Sequence, residues 1–129
     1  MSEEQSLIKL NTGLMQAMQS GTINIDVFSK DITVLDCLVA GTSFYNVKNI
    51  DEELKVSDKL DLQREPTNEY DEFAIAIYFK EQKIGFIPKI KNESVARLLD
   101  AGKKFHAVIK EKNWEGNWLK LSIEVVLND

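Results

Sequence analysis

Two short segments carry side chains that could recognise a ligand with flat and charged parts. Phe44 and Tyr45 follow Gly41 at the end of an apolar run, where a purely structural turn is expected to be polar. A second apolar run ends in segment 64–71, which holds a guanidinium, a proline, an amide, an aromatic ring and a carboxylate. Exposed aromatic rings beside amides and charges can stack on nucleobases and bind sugar and phosphate oxygens.

A purely structural interpretation stays open for the same residues. Phe44 and Tyr45 could close one end of a core, and Tyr70 could hydrogen-bond within a turn. For each residue taken alone, this interpretation is favoured, so ligand recognition depends on the two segments lying side by side. Loops that follow neighbouring strands of a barrel can share one rim.

The signatures of common enzymes are missing. No phosphate-binding glycine loop, zinc-protease motif or serine nucleophile motif is present. With one cysteine, Cys37, and one histidine, His106, the chain can form neither an internal disulfide nor a structural zinc site. We therefore expect no catalytic residue, no metal and no cofactor. A metal-dependent nuclease built from carboxylates, such as Glu65 and Asp71, ranks third among the hypotheses.

Composition favours one soluble domain. The chain has 129 residues, of which 43% are apolar and 29% charged, and this length suffices for a core without disulfides. No window approaches the ~20 apolar residues of a membrane span, and the N-terminus lacks the positive flank of a signal peptide. A cytoplasmic protein without membrane contact is predicted.

Charge is distributed unevenly along the chain. The net charge is −5, with 6 basic and 14 acidic side chains in residues 1–72 and 10 basic and 7 acidic ones in residues 73–129. Because phosphate binding needs clustered lysine and arginine, any site for a polyanion should draw on the second half.

From residue 32 onward, the pattern is typical of β-structure. Period-two alternation and β-branched runs predict six short strands. One helix is inserted, with Asn92 as its expected N-cap and Gly102 as its stop. This composition of elements predicts a small, closed or partly closed β-barrel. The predicted strands are Ile32 to Ala40, Lys59 to Arg64, Phe73 to Phe79, Lys83 to Ile87, Phe105 to Glu111 and Trp118 to Val126, the last two joined by a loop at 113–117.

The N-terminal part has a different pattern. Leu7, Leu14 and Met18 lie at helical spacing, and Gly21 ends the pattern, which predicts an amphipathic helical extension over residues 1–21. Its apolar stripe would pack on the main domain or, less favoured, bind a partner. Residues 22–31 alternate with a period of two, as in a short strand or an extended connector.

Four stretches together resemble the HIRAN domain family. The most specific is Arg64-Glu65-Pro66-Thr67-Asn68-Glu69-Tyr70-Asp71-Glu72-Phe73-Ala74-Ile75. The others are Val39 to Asn46, Ile84 to Lys89 and Ala96 to Gly102. The resemblance runs from about Ile32 to Val126 in the family's order, so the predicted domain covers residues 32–127.

The resemblance implies a mainly β, OB-like barrel of about six strands that holds the free 3′ end of single-stranded DNA in a pocket. It implies no catalysis. The chain resembles the standalone bacterial or phage type, without a helicase motor, so the implied partners are single-stranded DNA and a separate helicase or repair protein.

Residue roles carry over from the family motif. Phe44 and Tyr45 match an aromatic pair beside the pocket, one of which stacks on a terminal base, and Asn68 matches an amide that contacts the end nucleotide. Tyr70 and Asp71 match a pair in which the ring packs on the nucleotide and the carboxylate accepts a hydrogen bond from the 3′-hydroxyl.

Two basic residues complete the predicted site. Lys89 matches a residue that touches phosphate. Arg64 could reach the phosphate backbone, but an ion pair with Glu65 or Asp71 is favoured.

Three positions depart from the pattern of DNA-binding members. Ser43, Thr67 and Phe86 stand where those members have arginine, asparagine and histidine. The missing arginine removes one charge-assisted phosphate contact, which lowers the expected affinity and its salt dependence.

The sequence therefore predicts a non-catalytic module that binds single-stranded DNA 3′ ends in repair or replication. The alternative is a protein-interaction module that uses the same aromatic surface or the N-terminal helix.

Overall fold

A computed structural model of the chain describes residues 31–128. They form six β-strands, one α-helix and three short 3₁₀ turns. The predictions for residues 1–21 and 22–30 lie outside the described residues. The elements are β1 (Ile32–Leu38), β2 (Lys59–Arg64), β3 (Ile75–Phe79), β4 (Gln82–Phe86), α1 (Glu93–Asp100), β5 (Phe105–Glu115) and β6 (Trp118–Leu127), with 3₁₀ turns at Thr42–Phe44, Val47–Ile50 and Lys89–Lys91.

All strand pairs are antiparallel, and the sheet order is β1-β6-β5-β2-β3-β4. The two outer strands approach each other at one isolated bridge, where Ala40 and Phe86 exchange backbone hydrogen bonds of 2.8 and 2.9 Å. A curled sheet joined at one point is a partly closed barrel, so the predicted mainly β, OB-like fold is confirmed.

Gly85 makes this approach of the two edges possible. A Cβ atom at position 85 would lie 2.4 Å from the Ala40 carbonyl oxygen and 2.5 Å from a methyl carbon of Val39. Because the first of these contacts is with backbone, a side chain there would push the edges apart.

The barrel interior is filled by alternate residues of β6 and of the first half of β5 and by consecutive buried residues of β3, while most of β1 is exposed. The α1 helix adds Val95 and Ala96 to the same core, and its other face is solvated. No described helix is long and apolar enough to cross a membrane. The largest fully buried side chains are Leu54, Leu60, Ile75, Ile77, Ile84, Ile87, Ile109, Leu119, Leu121, Ile123 and Val125.

The predicted loop at 113–117 is wrong over most of its length. Strand β5 continues to Glu115, which pairs with Trp118, so only Gly116 and Asn117 form the turn. Gly116 has φ of 63°, a left-handed conformation that glycine adopts without strain and that tight hairpins require. Cross-strand pairing with β6 outweighs the weak strand propensity of Asn113 and Glu115, which precede the turn.

Candidate nucleic-acid interface

A cavity of about 250 Å³ lies beside the 64–71 turn, and Ala40, just before the other segment singled out in the sequence, also lines it, whereas Phe44 and Tyr45 do not. Four of the seven predicted site residues line it: Asn68, Tyr70, Asp71 and Lys89. Its remaining wall is formed by Ala40, Ala74, Phe86 and Ile87. The bridge between Ala40 and Phe86 of β4 brings the chain that leads into the aromatic pair to one side of the cavity. The 64–71 turn forms another side.

Asn68 organises the 64–71 turn. Its Oδ1 accepts hydrogen bonds from the backbone N–H groups of Tyr70 (2.8 Å) and Asp71 (3.1 Å), and its Nδ2 donates to Glu65 Oε1 at 3.1 Å. An asparagine that bonds the backbone two and three residues on holds a turn in one conformation. Asn68 therefore fixes the turn that carries Tyr70 and Asp71.

The Asp71 carboxylate is held from two sides. Its Oδ1 accepts a hydrogen bond from the Phe73 backbone N–H at 2.9 Å, and its Oδ2 accepts one from Asn92 Nδ2 at 2.7 Å. Each carboxylate oxygen has two lone pairs, so acceptor capacity remains on the side that lines the cavity.

Asn92 occupies the predicted N-cap position of α1, but its side chain caps nothing. The predicted capping role is wrong because the amide, in a residue only 1% exposed, is used to orient Asp71. The sequence analysis thus missed a residue that positions the site, since the two side chains are 21 positions apart.

Arg64 lies outside the cavity, and its guanidinium makes four hydrogen bonds within the protein. Its Nε and Nη2 donate to the two Asp100 carboxylate oxygens at 2.9 and 3.2 Å, and the carbonyls of Ala74 and Glu72 accept further bonds at 2.7 and 3.0 Å. These bonds from Arg64 hold the pKa of Asp100 below its usual range. The ion pair favoured from the sequence is present, with Asp100 as its partner in place of Glu65 or Asp71.

The two neighbouring aromatics of the predicted pair have different environments. Phe44 ends the 3₁₀ turn and is 86% exposed, so it does not close the core. Tyr45 packs against the core, and its ring lies 6.3 Å from the Phe86 ring between centroids. The turn itself is anchored by Thr42, whose buried hydroxyl donates to the Leu119 carbonyl at 2.8 Å.

A lysine that the sequence analysis missed stands beside these rings. Lys83 Nζ lies 5.0 Å from the Phe86 centroid and 5.9 Å from that of Tyr45, and it pairs with Glu65 at 2.5 Å. The hydrogen bond to Glu65 raises the pKa of Lys83. Burial acts to raise the pKa of Glu65, but its bonds with Lys83 and Asn68 lower it below the usual range.

A β-bulge explains why Lys83 and Phe86 meet. Pairing shifts from Ile77 opposite Gly85 to Tyr78 opposite Lys83, which leaves Ile84 as the extra residue. An extra residue reverses the alternation of faces, so side chains three positions apart share one face. Regular strand alternation would have placed them on opposite faces.

The remaining rim of the cavity is exposed and basic. Tyr70 is 81% exposed, and its backbone carbonyl accepts a hydrogen bond from Lys89 Nζ at 3.1 Å. The cation of this rim, Lys89, lies in the second half of the chain, where the sequence analysis predicts the basic side of any polyanion site. Asp71 lies in the first half.

Carboxylate clusters and the single cysteine bear on metal and thiol chemistry within residues 31–128. No group of three or more His, Cys, Asp and Glu side chains in residues 31–128 is placed to hold a metal ion. Cys37 is buried, and this burial raises the pKa of its thiol to about 11, so the thiol is protonated at neutral pH and is a poor nucleophile.

Comparisons with known proteins place this geometry in context. The family model described as HIRAN domain matches residues 32–128. A crystal structure of a protein from Lactobacillus plantarum superposes with a TM-score of 0.65 at 23% identity, covering 75% of this chain and 96% of that one. A crystal structure of the HIRAN domain of human HLTF gives a TM-score of 0.58 at 21% identity, covering 72% and 73% of the two chains. No curated protein sequence matches the chain.

Proposed function

The chain belongs to the HIRAN family of nucleic-acid-binding domains, and from that premise we propose that it holds the free 3′-hydroxyl end of single-stranded DNA in the cavity beside the 64–71 turn. In this proposal the domain binds without catalysis and serves repair or replication enzymes. The observation that carries the proposal is one cavity with an apolar wall, an exposed ring and an oriented carboxylate beside a lysine ammonium.

The aromatic residues account for binding any base. Phe44 and Tyr70 expose most of their rings; Tyr70 lines the cavity, and Phe44 lies four residues after Ala40, which also lines it. Stacking of a base on an aromatic ring contributes about 1–3 kcal/mol and tolerates every base, because each base has a flat face. The proposed site therefore has affinity with little sequence preference.

Asp71 accounts for preference for a free end. The carboxylate has acceptor capacity for a sugar hydroxyl, and its position is fixed by Phe73 and Asn92 before any ligand arrives. A 3′-phosphate or a continuing strand would place negative charge beside this carboxylate, which is repulsive. Discrimination between ends is thus assigned to Asp71.

Lys89 accounts for contact with the DNA backbone. An ammonium has three donors, and the Tyr70 carbonyl uses one of them. The remaining donors can bind a phosphate oxygen near the strand end. With one such lysine at the cavity, we expect modest affinity that falls with salt.

A protein-interaction module is the second candidate. Ile90, next to Lys89 in its 3₁₀ turn, is 91% exposed, and Tyr70 is 81% exposed. Exposed apolar side chains of this size are frequent at protein-binding surfaces.

The decisive experiment measures fluorescence-anisotropy binding of one labelled oligonucleotide in three forms, with a 3′-hydroxyl, with a 3′-phosphate and with a hairpin that leaves no free end, at low and moderate salt. We expect about tenfold preference for the hydroxyl. Asp71→Asn should reduce this preference. The matched control is Asp61→Asn, an equal charge change at an exposed β2 position away from the cavity.

Equal binding of hydroxyl and phosphate ends by the unmodified protein would refute the role of Asp71. Binding of no form at low salt would refute the proposed function and favour the protein-interaction candidate.

A further inference from the structure

We propose that a second cavity, beside the aromatic pair, binds a nucleotide on the 5′ side of the strand end. This inference rests on the proposed function, since it continues the same strand across the domain surface. The cavity has a volume of about 340 Å³, within the range of small-ligand sites. It is lined by Thr42, Ser43, Tyr45, Asn46, Val47, Lys48, Trp114 and Asn117.

The two cavities are neighbours. Tyr45 lines the second cavity, and its ring packs on Phe86, which lines the first. Along the backbone, Ala40 lines the first and Thr42 the second, and two residues span at most about 7 Å. OB-folds contact about 4–16 nucleotides of a single strand, so a strand held by its end must also cross the surface beside the terminal cavity.

The second cavity offers a ring in a fixed position. Trp114 Nε1 donates a hydrogen bond to Asp51 Oδ1 at 2.8 Å, while Lys112 pairs with the same carboxylate at 2.9 Å. Because the indole is already held, stacking on it costs little conformational freedom. Together with Tyr45, it gives the cavity two aromatic side chains for a nucleobase.

The polar groups of the second cavity are available to a ligand. The side chains of Ser43, Asn46 and Asn117 are exposed and make no hydrogen bond within residues 31–128. Lys48 is exposed and has no carboxylate partner in that range, and no acidic residue of that range lines the cavity. In contrast, Lys83 and Lys89 each bind a protein acceptor. Unpaired donors and one free cation fit a nucleotide with its phosphate.

Strand length distinguishes the two cavities experimentally. Anisotropy titrations would use a 5′-labelled oligothymidine of eight nucleotides with a free 3′-hydroxyl, and unlabelled thymidine, which has no 5′ neighbour, as its competitor. Lys48→Glu should weaken binding of the eight-mer about tenfold and change that of thymidine less than about twofold.

The matched control is Lys104→Glu. Lys104 is exposed, lines neither cavity, and precedes β5, roughly 30 Å along the strand from Trp114. The substitution Lys104→Glu makes the same charge change and should alter binding of the eight-mer and of thymidine less than about twofold. Equal weakening of the eight-mer by both variants would overturn the second cavity.

A fluorescence measurement tests the indole directly. The chain has two tryptophans, so Trp118→Phe leaves Trp114 as the only one. We expect saturating eight-mer to quench Trp114 emission and saturating thymidine to leave it unchanged. Unchanged emission with bound eight-mer would overturn the inference.

These outcomes separate the two proposals. If neither the eight-mer nor thymidine binds the unmodified protein, the proposed function fails and this inference fails with it. If the eight-mer binds with preference for the 3′-hydroxyl while Lys48→Glu behaves like Lys104→Glu, only the second cavity fails.

Discussion

The two segments singled out in the sequence are built in opposite ways. In the 64–71 turn, the side chains of Arg64, Glu65, Asn68 and Asp71 all make hydrogen bonds, those of Asn68 within the turn itself and those of Arg64 as far as Asp100. In the 41–46 segment, Thr42 makes the one side-chain hydrogen bond found among the described contacts, and Phe44 projects into solvent.

The polar side chains and the aromatic rings of the two segments therefore have different tasks. The side chains of Arg64, Glu65, Asn68 and Asp71 are hydrogen-bonded within the protein, so they hold the shape of the turn, and Asp71 keeps acceptor capacity for a ligand. The rings of Phe44 and Tyr70 are mostly exposed, so a ligand can cover them at little structural cost. Preorganised polar groups next to exposed rings are an arrangement that improves both selectivity and affinity.

The largest expected effect is loss of stability in Arg64→Ala. The Arg64 side chain is 13% exposed, and its removal leaves Asp100 and the carbonyls of Ala74 and Glu72 without their donor. The Asp100 side chain is 53% exposed, so the loss rests on the two carbonyls, and we expect the free energy of unfolding to fall by about 1–3 kcal/mol, measured by urea denaturation. If Arg64 instead served DNA, binding would fall without this loss.

Lys80→Ala is the matched control for Arg64. Lys80 pairs with Glu53 at 3.0 Å, but both side chains are more than half exposed. Exposed pairs contribute about 0–1 kcal/mol. An equal loss of stability in the two variants would contradict the assignment of Arg64 to the scaffold.

A smaller effect is expected from Glu65→Gln, and it depends on pH. Because the folded pKa of Glu65 is lowered, ionised Glu65 stabilises the native state above its ordinary pKa, near 4.3. That stability is lost as pH falls through the lowered folded pKa. The raised pKa of Lys83 gives stability that is lost only as pH rises through it.

Glu65→Gln should therefore lower the free energy of unfolding by about 1 kcal/mol at pH 7. The variant should also lose less stability than the unmodified protein between about pH 5 and pH 3. Thermal unfolding followed across this range measures both quantities. Lys83 would also be released beside the Tyr45 and Phe86 rings, so binding of single-stranded DNA should strengthen about threefold at low salt. Unchanged pH dependence would contradict the coupling of these two residues.

The fold was largely predictable because strand periodicity is local. All six predicted strands are present, and the motif from Arg64 to Asp71 supplies three of the eight residues that line the cavity. The contacts that orient the site could not be predicted, since Arg64 reaches Asp100 and Asn92 reaches Asp71 across the fold. The bulge at Ile84 also has no sequence signal, yet it places Lys83 over the rings.

The smallest effect on stability is expected from Phe44→Ala, which tests the exposed side of the comparison. Because the ring is 86% exposed, its removal should change the free energy of unfolding by less than about 0.5 kcal/mol. Loss of one stacking ring should nevertheless weaken binding of a 3′-hydroxyl strand by about 1–3 kcal/mol. Anisotropy titration and urea denaturation of the same preparation measure the two quantities together.

Ile90→Ala is the control that separates stacking from general hydrophobic contact. Ile90 is 91% exposed, slightly more than Phe44, but it has no aromatic face. If the Phe44 ring binds DNA by stacking, Ile90→Ala should leave DNA binding unchanged. Equal weakening by both variants would mean that exposed apolar area, rather than a ring, carries the interaction. The two segments would then form a docking surface, and the division between a fixed scaffold and stacking rings would be wrong.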